Sequence, residues 1–297
     1  MQSLEKQLQI PETIIQKIED PILASFGVNL YLKREDLIHP FISGNKWRKL
    51  KYNLLEAQKQ GKKTLLTFGG AYSNHIYAVA TAGEKFGFKT IGIIRGEEHL
   101  PLNSTLESAT ANKMKLHYWD RTTYRDKKNP EHLQKLQDQF GNFYLVPEGG
   151  SNALAVKGCT EIVSEINIHF NYLCSASGTG GTLAGLIAGL NGAKKVIGFP
   201  ALKGASFLVD EINELLQSYN GKKYENWKLQ LDYHFGGYAK SKPELLEFIE
   251  GFQNRNNIPI ERIYTGKMLF GIYDLIKKGF FKKGETILAI HTGGLRA

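Results

Sequence analysis

The sequence predicts an α/β protein of two domains, each an open, mostly parallel sheet flanked by helices. Three observations lead there. Short β-rich runs alternate with longer stretches of helical pattern, the order that a parallel sheet with crossover helices requires. The runs fall into two series of four, separated by a glycine-rich break at EGGSN, Glu148 to Asn152. The chain has 297 residues, 42% apolar and 23% charged, which is ordinary globular usage at a length that supplies core for two modest domains.

The first series runs TLLTFGG from Thr64, TIGIIRG from Thr90, KLHYW from Lys115 and FYLVP from Phe143. The second runs YLCSASG from Tyr172, KVIGFPA from Lys195, LQLDYHF from Leu229 and TILAIHTGG from Thr286. An earlier extended segment, YLKREDL from Tyr31, is placed to join the second sheet across the boundary. Helices between the runs carry apolar stripes. Leu269, Ile272, Tyr273 and Ile276 fall at i, i+3, i+4 and i+7, and Leu245, Leu246, Ile249 and Phe252 make a similar stripe. Both read as core. The hydrophilic stretch DRTTYRDKKNP, Asp120 to Pro130, reads as an exposed connection.

Several function classes drop out. No apolar run approaches the roughly 18 residues of a bilayer span, and the opening MQSLEKQLQIPETI has no apolar core of a secretion signal. A cytoplasmic protein with no membrane partner is expected. Cys159 and Cys174 form no CxxC pair and no cluster with histidines, so both read as buried thiols, with neither a metal nor a disulfide. A net charge of +9 favours anionic ligands. The basic stretch at Asp120 to Pro130 interleaves no aromatic platform with its charge, so nucleic acid is not an expected partner.

Three segments carry chemistry. In SGNKWRKLKY, Ser43 to Tyr52, a Gly-Asn turn opens a helix at about Lys46. The four cations Lys46, Arg48, Lys49 and Lys51 read either as a solvated basic face or, for Lys46 at the turn, as an amine whose pKa is lowered by its neighbours and which can attack a carbonyl. In FGGAYSNHIYAVATAG, Phe68 to Gly83, a β run ends in two glycines and Ser73 and Asn74 open a helix. Either is a natural N-cap; equally, Ser73, Asn74 and His75 offer a hydroxyl, an amide and an imidazole at a strand end, where α/β sheets bind ligands. In SASGTGGTLAGL, Ser175 to Leu186, small residues between a strand and a helix suit an anion cradle, with tight strand-to-helix packing as the alternative. The GxGxxG spacing fails at Leu183, the nucleotide P-loop ending is missing, and Lys203 rather than an acid follows the next run, which disfavours a dinucleotide and leaves NADP open. Tyr264 and Thr265 before a helix, Tyr238 after FGG, and the terminal HTGG carry little signal alone.

Together and in order, LKREDL, GNKWRKL, YSNH, PEGGSN, SGTGGT, YTGK and HTGG resemble the 1-aminocyclopropane-1-carboxylate (ACC) deaminase and D-cysteine desulfhydrase family of pyridoxal-phosphate (PLP) enzymes. The likeness runs from Leu30 to the HTGG at His291. It implies a large domain of residues 1–46 plus 153–297, a small domain of residues 47–152 inserted into it, PLP in the cleft between them, and a homodimer. By the same resemblance Lys46 is the lysine that binds PLP covalently, Asn74 meets the phenolic oxygen of the cofactor, and Ser73 meets the substrate carboxylate. Ser177, Gly178, Thr179, Gly180, Gly181 and Thr182 match the phosphate cradle. Tyr264 and Tyr238 match active-site tyrosines, and Thr265 matches the position facing the pyridine nitrogen. Tyr72 stands where relatives often have glutamine, and Tyr77 where an arginine is common.

Position 265 bears on the substrate. ACC deaminases are similar to one another in having glutamate there, which keeps the ring nitrogen protonated; a threonine hydroxyl does not. Threonine at 265 and histidine after Ser-Asn, at His75, both resemble the desulfhydrase pattern. The resemblance therefore implies a small amino-acid substrate and a deaminating lyase that converts D-cysteine to pyruvate, sulfide and ammonia. The alternative is ACC deaminase, giving 2-oxobutyrate and ammonia; more remote is a non-catalytic anion or nucleic-acid binding protein. Lys46 or a tyrosine removes the α-proton, and Tyr264 is open as base or as acid to the leaving group.

Overall fold

The computed structural model describes residues 3–42 and 44–295. Among them ten strands form two sheets. The larger contains β1 (Ile15–Lys17), β2 (Asn29–Lys33), β7 (Tyr172–Ser177), β8 (Lys195–Pro200), β9 (Trp227–Leu229) and β10 (Thr286–Ile290), in the order β1-β2-β10-β7-β8-β9. The smaller contains β3 (Thr64–Gly70), β4 (Lys89–Arg95), β5 (Lys115–Trp119) and β6 (Tyr144–Val146), in the order β5-β4-β3-β6. Every pairing is parallel except β1 with β2. The segment at Tyr31 does join the second sheet, pairing Leu30 with Ile287 and Leu32 with Ala289.

Parallel strands covered on both faces need apolar side chains on both faces. The central strand YLCSAS is buried throughout, and TILAI is buried from its second residue. On one face of the large sheet, Ile197, Phe199 and Ile287 pack with Leu269, Ile272, Tyr273 and Ile276 of the helix Thr265–Lys277. On the other, Leu173, Leu288 and Ile290 pack with the helices Ala153–Ser164, Gly181–Leu190 and Leu208–Asn220. The small sheet is likewise covered by Asn45–Lys59, Asn74–Phe86 and Ser104–Ala111 on one face and by Arg121–Arg125 and Pro130–Phe140 on the other. Leu4, Leu8, Ile38 and Ile42 pack into the first of those two clusters, while β1 and β2 from the same stretch of chain belong to the large sheet.

Three local expectations are corrected. The run LQLDYHF is not a strand: β9 ends at Leu229, and residues 232–239 make turns in which Phe235, Gly236, Gly237 and Ala239 have positive φ, incompatible with a ladder. Leu246 is exposed although Leu245 and Phe252 are buried, so that stripe is narrower than its spacing implied. The stretch Asp120 to Pro130 is not a bare connection. It contains the helix Arg121–Arg125, capped by Asp120, and buries Tyr124.

A group of buried charges fixes the helix Asn45–Lys59 against the large sheet. Arg48, 1% exposed, donates to Glu35 from Nε (2.9 Å) and forms a two-pronged pair with Glu165 (2.6 and 2.7 Å). Lys33 donates to the same Glu165 (2.9 Å) and to the Thr13 carbonyl (2.6 Å). Two cations thus face these two carboxylates, with Glu161 a third at 3.5 Å from Arg48. Burial works against the charge on Arg48, but its bonds to Glu35 and Glu165 hold its pKa above the ordinary value, and Arg48 and Lys33 hold Glu165 below its own despite partial burial. Glycine permits the close packing around this group, since a Cβ on Gly158 would lie 1.9 Å from the Arg48 carbonyl oxygen. Removing one member leaves a buried charge without compensation, so Arg48→Ala is expected to lower unfolding free energy by about 3–5 kcal/mol. By contrast Lys113→Ala, at an exposed pair with Glu84, should change it by less than about 1 kcal/mol. Urea unfolding followed by circular dichroism checks both.

Candidate active site

The parallel strands of both sheets point their C-terminal ends toward the edge that holds one cavity of about 470 Å³. Gly70 ends β3, Arg95 ends β4, Ser177 ends β7, and Thr292 to Gly294 follow β10; all border the cavity. Open parallel sheets bind ligands at that edge because helix N-termini and unpaired amides gather there.

The helix Asn45–Lys59 starts at the junction. Gly44 has φ +65°, and a Cβ there would lie 1.9 Å from the Thr292 carbonyl oxygen, so only glycine lets the helix start this close to β10. The Asn45 amide N–H then donates to that carbonyl (3.2 Å), and the Asn45 side-chain amide donates to Thr182 Oγ1 (2.9 Å). Lys46 lines the cavity with its Nζ donating to Asn45 Oδ1 (2.9 Å). Across from it begins the helix Asn74–Phe86. Ser73 is its N-cap and accepts from the N–H groups of His75 (3.2 Å) and Ile76 (3.4 Å). Capping and cavity lining thus coexist in one hydroxyl. Asn74 also lines the cavity, its Nδ2 3.0 Å from where a Cβ on Gly294 would stand. His75 borders it too, buried, with Nε2 2.7 Å from Thr67 Oγ1. Burial, then the charges of Lys46 and Lys49, push its pKa well below the usual value, so the ring is neutral.

Ser177, Gly178, Thr179, Gly180, Gly181 and Thr182 form a third wall, and the helix Gly181–Leu190 directs its first amides there. Ser177 Oγ is buried without a hydrogen-bond partner among the described residues. A Cβ on Gly178 would meet the Tyr264 ring at 3.2 Å, and one on Gly181 would meet Ser151 Oγ at 2.7 Å and Lys49 Nζ at 3.0 Å. The last contact exposes a residue that sequence reading passed over. Lys49 is buried, with Nζ donating to Ser151 Oγ (2.7 Å) and Thr179 Oγ1 (3.3 Å) inside the glycine loop. Burial, then the charge of Lys46, lowers its pKa to about 7. The available signal was its position three residues after Lys46, one helical turn along the same face.

Tyr264 and Tyr238 close the remaining side, with ring centroids 6.1 Å apart and planes inclined at 68°. Burial, then the neighbouring Tyr238, raises the Tyr264 pKa well above the usual phenol value, so it keeps its proton. Thr265 does not border the cavity. It is fully buried, and its hydroxyl lies 3.1 Å from Glu261 Oε1 and accepts from the Glu261 amide (3.2 Å). The Glu261 carboxylate in turn accepts the N–H groups of Ile263, Tyr264 and Thr265 and so caps the helix Thr265–Lys277.

Two parallel sheets meeting at a glycine-cradled anion site with two lysines define the class: the family model described as pyridoxal-phosphate dependent enzyme matches residues 10–293. A protein of Pyrococcus furiosus named "Putative 1-aminocyclopropane-1-carboxylate deaminase" is 33% identical, covering 96% of this chain and 90% of its own. One of the same name from Thermotoga maritima is 31% identical, covering 91% and 90%. The crystal structure of an ACC deaminase homologue superposes with a TM-score of 0.85 at 30% identity, over 99% of this chain and 96% of that one. The chain therefore belongs to the pyridoxal-phosphate dependent enzymes, within the group formed by these ACC deaminase-like relatives.

The residues fit that cofactor. A phosphate ester needs convergent amides, hydroxyls and a cation, and the loop at 177–182 supplies them with the unpartnered Ser177 hydroxyl and Lys49. A dianion beside Lys49 must raise the pKa of its ammonium. With the Lys49 pKa lowered to about 7, PLP binding near pH 8 is expected to be accompanied by proton uptake at Lys49. Calorimetry in two buffers of different ionisation enthalpy measures this, and the uptake should vanish in Lys49→Met.

Proposed function

We propose that this enzyme is a deaminating lyase that consumes D-cysteine and one water and releases pyruvate, hydrogen sulfide and ammonia. When bound, PLP supplies an aldehyde that takes the substrate amino group and a ring that draws electrons from the bond being broken. The observation that carries the choice of substrate is the commitment of nearby carboxylates elsewhere. Glu261 accepts the amides of residues 263–265, and Glu148 accepts the Tyr124 hydroxyl and pairs with Lys127. Glu211 precedes Ile212, which packs on Gly180 at the phosphate side. The carboxylates that border the cavity among the described residues are Glu148, held by Tyr124 and Lys127, and Glu211, on the phosphate side; in this reading neither strengthens electron withdrawal by the ring. A thiolate departs as a stable anion and needs the least withdrawal; opening a cyclopropane needs more.

In this reading the substrate carboxylate sits at Ser73 and Asn74, where the helix Asn74–Phe86 presents its positive end. The amine of Lys46 removes the α-proton, and the hydroxyl of Tyr264, which keeps its proton, donates a hydrogen bond to the sulfur as it departs as thiolate. Tyr238 and neutral His75 bound the substrate space. The names of the relatives favour a second reading, ACC conversion to 2-oxobutyrate and ammonia.

Incubating the PLP-loaded enzyme with each compound separates the two. Pyruvate and sulfide from D-cysteine, with no 2-oxobutyrate from ACC, is the expected result; the reverse pattern establishes the second reading. Tyr264→Phe should lower kcat on D-cysteine by roughly 10²- to 10⁴-fold while KM changes much less.

A further inference from the structure

Lys267 is among the largest fully buried side chains, 1% exposed, and its ammonium finds backbone oxygens rather than a carboxylate. It donates to the carbonyls of His234 (2.8 Å) and Gly237 (2.8 Å), and Ala201 lies at 3.4 Å. These oxygens belong to two loops. Ala201 precedes Leu202, and Gly237 precedes Tyr238, and both Leu202 and Tyr238 border the cavity.

The second loop needs an anchor. Phe235, Gly236, Gly237 and Ala239 all have positive φ, including two residues with side chains, a conformation that ordinary loops avoid. Its internal bonds are few: Gly237 N–H to His234 O (3.0 Å), Lys240 N–H to Gly237 O (3.1 Å), and Gly236 N–H to His234 Nδ1 (2.9 Å). Phe235 holds one side by packing edge-on against Phe270, with centroids 4.9 Å apart. Lys267 holds the other, one turn along the helix from Tyr264, the ring that Tyr238 faces.

We propose that Lys267 is the positioning residue for Tyr238: its buried ammonium acts as a tethered cation that ties the 201–202 and 234–238 loops to the base of the Tyr264 helix and so sets the tyrosine pair that walls the cavity. The catalytic part rests on the D-cysteine reading above; the structural part does not.

The test uses the PLP-loaded enzyme with Lys267→Ala, Lys267→Met and Tyr238→Phe. Methionine keeps the buried volume and guards against collapse of the cavity left by alanine. Hydrogen exchange read by mass spectrometry over residues 232–240 should speed up by about 10²-fold in both Lys267 variants, with the cofactor absorbance retained. Ammonium ions, against a matched sodium control, should slow it again in Lys267→Ala, where space for the ion exists. Turnover of D-cysteine should fall by about 10²-fold in Lys267→Ala, and the Lys267→Ala/Tyr238→Phe double variant should be no slower than Tyr238→Phe. Unchanged exchange at 232–240 in both variants overturns the proposal, as do activity losses that multiply in the double variant. If D-cysteine is not turned over by the parent enzyme, the function reading fails and the exchange data decide the role of Lys267 alone.

Discussion

Arg48 is gripped by Glu35, two residues beyond β2, and by Glu165, the residue that caps the C-terminal end of the helix Ala153–Ser164, and Lys33, the last residue of β2, completes the charge balance. Such a buried group is costly to assemble and more costly to break, and its geometry admits little adjustment. Because Arg48 lies two residues after Lys46 and one before Lys49, fixing it fixes both cavity lysines. The helix start is then trapped by Gly44 against Thr292, which brings β10 of the large sheet beside the helix that covers the small sheet.

The cavity follows from that junction. With the C-terminal ends of parallel strands from both sheets facing one space, helix N-termini from both units border it, an arrangement that favours anions. Lys49 senses this most directly. It is buried beside Lys46 with only hydroxyl partners, and it loses proton affinity until an anion arrives. Tyr264, buried beside Tyr238, Glu261 and Glu148, keeps its proton. The site thus pairs an amine that takes up a proton when an anion binds beside it with a phenol that holds its own.

Much of this was legible in the chain. Alternating runs revealed both sheets because buried parallel strands are nearly continuous apolar segments, and Lys46, Ser73, Asn74, His75, the loop at 177–182 and Tyr264 border the cavity because each sits at a strand end or a helix start marked by glycine, while Tyr238 borders it from a glycine turn. Lys49 was obscured by its setting in KWRKLK, where four cations look alike. Only tertiary packing separates Lys51, paired with Glu161, from Lys49, turned toward Ser151 and Thr179. Thr265 follows Tyr264 in sequence but turns to Glu261, since the carboxylate that caps the helix captures its hydroxyl. The false strand at LQLDYHF has apolar alternation, and the glycines after it mark the turn that holds Tyr238. The anchor of that turn, Lys267, lies in YTGK, where neither spacing nor composition distinguishes a buried ammonium from a solvated one.

The account turns on Lys46 being the amine that faces the cofactor's aldehyde while Lys49 faces its phosphate. Borohydride reduction of the PLP-loaded protein, followed by peptide mapping, tests that assignment most directly. The account predicts a single phosphopyridoxyl label on Lys46, with Lys49 unmodified. A label on Lys49 or on any other lysine, or none despite bound cofactor, would contradict it.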